Sequence, residues 1–249
     1  MGSTPTERAS ADGHPAAGRP LPEFVDWLFG VVIALSGLFL IVDGSVLAFT
    51  VDRGLLAEGI EDGTITVAVG TTELTDAESI TVADAVVSWV GPGLLLTGGG
   101  LVLFAIGYVV VRHRAHRRAR TGESVSSFGT FAVLGAVTTV VLSFIPVSPV
   151  SPAVGGALAG YLERNESDRT VSVGALAGLL PTLPLCSTLL FVFVGLLSGL
   201  FAIGQAGNAI VVGTIMLLSV GLVATVGAGL GALGGYVGGR LADRRGATD

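Results

Sequence analysis

The chain contains no lysine, one cysteine and few charges of any kind. All 13 basic residues are arginine, so a phosphate-binding loop built around a lysine is excluded. Cys186 can form no disulfide within the chain and no cysteine-based metal site, and its apolar surroundings read as those of a small buried residue. Charged residues make up 13% of the 249, well below the roughly 25% of a soluble domain. His14, His113 and His116 have no cysteine or carboxylate at ligand spacing, so neither a metal centre nor a cofactor is expected. HExxH and GxSxG are both missing. Gly229-Leu-Gly-Ala-Leu-Gly234 has the form GxGxxG, but it lies in a hydrophobic run without the βαβ unit that motif requires. The expectation is a protein that is not an enzyme.

What is abundant is apolar. Hydrophobic residues reach 51%, with a mean hydropathy of +0.79 and 38 glycines. Long uncharged runs of this kind are built to cross lipid, and the glycines suit helices that pack backbone to backbone. The expected fold is an all-α integral membrane protein of about six transmembrane helices. The spans are placed near Trp27–Phe49, Val86–Val111, Phe128–Pro146, Ala153–Leu162, Val171–Gly204 and Ala209–Val237. Ala153–Leu162 is short for a span and either completes one or is re-entrant. Val171–Gly204 is long for one; Pro181 and Pro184 should kink it, and splitting it there would raise the count to seven. Gly91-Pro92-Gly93 should kink or loosen its own span.

The block RHRAHRRAR, Arg112–Arg120, begins where an apolar run stops. Arg112, Arg114, Arg117, Arg118 and Arg120 read as a topology anchor on the cytoplasmic side, which puts both termini inside the cell membrane. Without aromatic neighbours or a supporting fold, the block offers nothing for nucleic acid. Five parts follow: a disordered tail over 1–22, a two-span unit over 23–111, a basic linker over 112–127, a four-span glycine-rich unit over 128–240, and a tail over 241–249. The outer loop of the two-span unit, 50–85, holds eight acids and one base, Arg53. Its alternating Thr64–Val69 is expected as a strand of a short hairpin, and Thr75-Asp-Ala-Glu78 has capping-box spacing.

Gly156-Ala-Leu-Ala-Gly160-Tyr161 recurs as Gly231-Ala-Leu-Gly-Gly235-Tyr236, which suggests two related hairpins. Gly156, Gly160, Gly227, Gly231, Gly235 and Gly239 are therefore helix-packing candidates, a glycine zipper within the chain or between copies. Asp43 is the only acid inside an expected span; it is either an interfacial residue or part of an ion or proton path. Three roles stay open: a structural or interaction protein of the membrane, a small-solute or ion channel or transporter, and an envelope sensor using the acidic loop. The expected partners are the lipid bilayer and a second copy or another membrane protein.

Phe144-Ile-Pro-Val-Ser-Pro149, Gly155–Leu162, Val173–Leu179 and Gly234-Gly-Tyr-Val-Gly238 give the second half a likeness to a known family. From about Phe128 onward the chain resembles an uncharacterised haloarchaeal membrane-protein family, the domain of unknown function numbered 5518. The resemblance implies a four-span unit and a halophilic source, and no ligand, activity or site residue.

Overall fold

The computed structural model describes residues 23–69, 74–120, 128–143, 150–163 and 167–246. Among these residues eight helices run in the order α1 (Glu23–Thr50), α2 (Arg53–Glu61), α3 (Asp76–Arg120), α4 (Phe128–Ser143), α5 (Ser151–Glu163), α6 (Ser167–Leu179), α7 (Thr182–Ala202) and α8 (Ala206–Gly246). Among the described residues there is no strand. Val69 makes only an isolated bridge; Thr64 and Ile65 bend, and 66–68 are irregular. The physical reason is burial: Val67 and Val69 join a cluster with Val82, Leu200 and Ala209 that seals the tops of α3, α7 and α8. The apolar positions thus serve a cap, not a sheet face. The expected tail over 1–22, the proline segment 144–149 and the end of the basic linker, 121–127, lie outside the described residues, whereas the expected tail over 241–249 continues α8 as far as Gly246.

Among the described residues four helices are long and apolar enough to cross a bilayer: Phe24–Thr50, Asp76–Arg118, Thr182–Ala202 and Ala206–Arg244. Their flanks are covered with exposed Leu, Val, Ile and Phe, as in Phe39, Leu103 and Leu218. That pattern suits lipid and would be an aggregation hazard in water. The chain is a membrane protein in this sense. These four account for four of the expected six spans; α4 with 16 residues, and α5 and α6 with 13 each, fall short of that length among the described residues.

The α1–α3 hairpin is antiparallel and closes along glycines spaced by seven. A methyl on Gly37 would stand 2.7 Å from the Gly98 carbonyl oxygen, and one on Gly44 2.9 Å from that of Gly91. α3 is helical throughout, Pro92 included, so the expected loosening is not a break. It also reaches Arg120, absorbing the first part of the expected linker. α7 then packs antiparallel on α3, with Gly195 over Val86 and Gly199 over Val82. Thr97 and Ser187 share a hydroxyl–hydroxyl bond of 2.8 Å there.

α6 and α7 are one rod interrupted at Leu180–Pro181, and both run antiparallel to α8. Pro184 does not interrupt it. It falls in the first turn of α7, where a helix N–H has no partner to lose. The reversal into α8 uses Gly204 at φ 76°, with the Gln205 N–H donating to the Leu200 carbonyl at 2.9 Å. At the same end of the fold, the cap starts with Asp52, whose carboxylate accepts from the Leu55 N–H at 2.9 Å. The expected capping box is present: the Thr75 N–H donates to Glu78 Oε2 at 2.9 Å, and the Glu78 N–H to Thr75 Oγ1 at 3.4 Å.

Candidate functional site

α3 carries its helix two turns past Val111, which places Tyr108, Arg112 and His116 at i, i+4 and i+8 on one face. That face meets α1 one turn before Gly30, at Asp26. The Tyr108 hydroxyl donates to Asp26 Oδ1 at 2.8 Å and Arg112 Nε to Oδ2 at 3.1 Å. His116 Nε2 stands 2.8 Å from the same Oδ2. Asp26 is only 3% exposed and Arg112 only 9%. A carboxylate this buried keeps its charge only when paired and hydrogen-bonded, and here three donors surround it. The cluster clasps the open end of the α1–α3 hairpin.

This divides the arginine block. Arg112 was expected in a solvated anchor and is instead turned inward, because its position continues the seam of Gly91, Gly98 and Ala105 at steps of seven. Arg114, Arg117 and Arg118 are exposed, and Arg118 has an interaction of its own. The Arg120 side chain lies outside the described residues. Asp43 is half-buried and takes no hydrogen bond or ion pair among the described residues. It does not join Asp26, which sits on the same helix nearly five turns away. Asp26 escaped notice because it precedes the apolar run by one residue. The available signal was the shared period, with Gly30, Gly37 and Gly44 on one helix and Gly91, Gly98, Ala105 and Arg112 on the other.

Around the other end of α8 the small residues converge. A Cβ on Gly156 would strike the Gly231 carbonyl, and one on Gly160 the Gly235 carbonyl. The two copies of the internal repeat therefore lie side by side, parallel and in register. From the other flank, Gly174 faces Gly231 and Gly235, and Gly178 faces Gly227. Gly239 meets Thr170, whose Oγ1 a Cβ would approach to 2.9 Å. Glu163 is buried at the end of α5. The pocket between α7 and α8 is a shallow groove of about 410 Å³, lined by Leu183, Cys186, Ser187, Phe193, Met216 and Val220 among others. Among the described residues no three His, Cys, Asp or Glu side chains converge as a metal would need.

Residues 129–241 match DUF5518, a family of unknown function. The likeness read from Phe128 onward is borne out over that segment. No curated protein and no solved structure matches the chain. The DUF5518 segment takes in α4 to α7 and most of α8, and with them every close glycine contact of the repeat. The Asp26 clasp and the acidic cap lie outside it.

Proposed function

We propose that the chain is a non-enzymatic, multi-pass membrane protein whose role is structural or interactive. α1, α3, α7 and α8 cross the bilayer; both termini and the arginine ends face the cytoplasm. The α4–α5 hairpin enters from that side and turns back within the membrane. What supports the re-entrant reading is register. Ala153 and Ala157 of α5 lie against Gly234 and Gly238, so α5 accompanies only the last third of α8. Its first residue stands roughly 35 Å short of the cap end of α8, at 1.5 Å per residue. Non-helical backbone at such depth is tolerated when protein covers it, and Ser151 is 3% exposed.

The observation that carries the non-transport reading is the backbone-to-backbone contact of α8 with α5 and α6. A pathway along the bundle axis would need the space those carbonyls occupy. Two experiments test the proposal. In a Cys186→Ser background, cysteines at 58, 150 and 243 should divide: only position 58 labelled from outside. Labelling at 150 from outside would make α4–α5 a full crossing. Protein in liposomes should then conduct no common ion above the empty-vesicle rate; specific flux would overturn the structural role.

A second reading, an ion or proton path, is favoured by Asp43, an acid without a partner among the described residues in an apolar helix. It requires flux, and flux that Asp43→Asn abolishes.

A further inference from the structure

We infer that the outward face of α3, where an exposed apolar stripe runs into Arg114 and Arg117, is a docking surface for an anionic phospholipid. Leu103, Ile106 and Val110 are exposed and follow one another at steps of three and four, so they share a face. The same steps continue to Arg114 and Arg117, both exposed and without an ion pair among the described residues. The face therefore changes from hydrocarbon to guanidinium within one turn, about 6 Å from Val110 to Arg114.

The level of that change is fixed independently. Trp27 is 63% exposed, and tryptophan favours the boundary between acyl chains and headgroups. Its neighbour Asp26 is bonded to Arg112, so Trp27 stands at the height of Arg112, about 3 Å before Arg114. A lipid with its chain along Leu103, Ile106 and Val110 would bring its phosphate to the two arginines.

Charge favours an anionic headgroup. Asp26, the acid that bonds this stretch of α3, is spent on its opposite face. At the cap end the balance is reversed, with Asp52, Glu58, Glu61, Asp62, Asp76, Glu78 and Asp84 against Arg53. Arginine suits phosphate because its planar fork donates two parallel hydrogen bonds.

The inference rests on α3 crossing the bilayer, which the cysteine labelling above tests separately. Full-length protein in neutral detergent is mixed with equal phosphatidylglycerol and phosphatidylcholine, and bound lipid is counted by native mass spectrometry. Phosphatidylglycerol should be enriched. The Arg114→Gln/Arg117→Gln variant should lose about 25-fold of that preference, near fivefold for each arginine at a membrane surface. Arg53→Gln should lose none. Equal retention in the double variant would overturn the assignment. So would glycerol phosphate displacing the lipid at equal concentration, which would make the ligand a free phosphate. Should the double variant not fold, wild-type protein that retains the two lipids equally overturns it as well.

Discussion

Replacing Asp26 with alanine removes the acceptor common to Tyr108, Arg112 and His116 and leaves a buried guanidinium facing a void. Hydrogen bonds to charged groups contribute about 1.5–3 kcal/mol each, but three bonds to one carboxylate are not additive. Breaking one partner of a buried ion pair costs about 3–5 kcal/mol, and Asp26 and Arg112, with side chains 5% and 11% exposed, belong to that class. For a chain of this size the loss corresponds to a fall in the unfolding midpoint on the order of 10 °C. A thiol-reactive dye supplies the assay, because half-buried Cys186 is the one thiol in the chain and is freed as α7 separates from α8. The argument turns on the pair, not on side-chain volume. Asp26→Leu combined with Arg112→Met should therefore recover more than half of the loss, since an apolar replacement of both charges is close to neutral. A single variant that melts within 2 °C of wild type, at the ordinary scale of about 2–4 °C per kcal/mol, refutes the clasp. A double variant no better than the single one refutes the pairing as its cause.

Three further outcomes are expected. Leucine at Gly231 or Gly235 should cost more than the roughly 1–3 kcal/mol of ordinary overpacking, because it meets backbone, while leucine at Gly221 or Gly229, where nothing lies within 4 Å, should melt near wild type. Equal losses at the two pairs, read by the same dye, would remove the packing role. Gly204→Val should destabilise by about 1–2 kcal/mol through its positive φ, and Gly204→Asn by less. The Asp62 carboxyl is held below its ordinary 3.8 by the Thr64 hydroxyl and then by the Thr64 N–H. That contribution is present above the unfolded value and is lost as pH falls through the folded one. Thr64→Val should move the carboxyl resonance's titration upward toward the ordinary value; an unchanged titration would assign the shift elsewhere.

Long apolar runs announce themselves, which is why α1, α3, α7 and α8 were legible as helices, as was the Thr75/Glu78 capping box. The short helices were legible only as composition. Three prolines between 146 and 152 forbid continuation but do not say at what depth the chain turns, because depth is set by what the turn packs against. The proposed depth rests on the contact of Ala153 and Ala157 with Gly234 and Gly238. The strand expected over Thr64–Val69 failed for a related reason: alternation gives a periodic apolar face, and three helix tops can bury such a face as well as a sheet can. Asp26 was hidden by convention. Hydropathy begins a span after the last charge, so a carboxylate that enters the helix seam with its own partners is left outside the window. Its partners were read by charge alone, although Arg112 falls on the seam by spacing.

The two glycine periods answer different demands on the backbone. Between α1 and α3 a small residue every seventh position keeps a single seam open, while α7 packs on another face of α3. α8 serves two neighbours at the same height, α5 running parallel to it and α6 antiparallel. Residues four apart lie 40° apart around a helix, so Gly227, Gly231, Gly235 and Gly239 wind gradually round its surface. Gly227 meets α6 and the first residue of α7, Thr182, and Gly239 meets α6, while Gly231 and Gly235 lie under both α5 and α6. Gly234 and Gly238 widen the α5 side alone. A stripe at period four is thus what one helix requires to hold two others against its backbone, and it accounts for the glycines without a second copy of the chain. Any self-association must then use surfaces that these contacts leave uncovered, such as the open flank of α8 at Gly221 and Gly229.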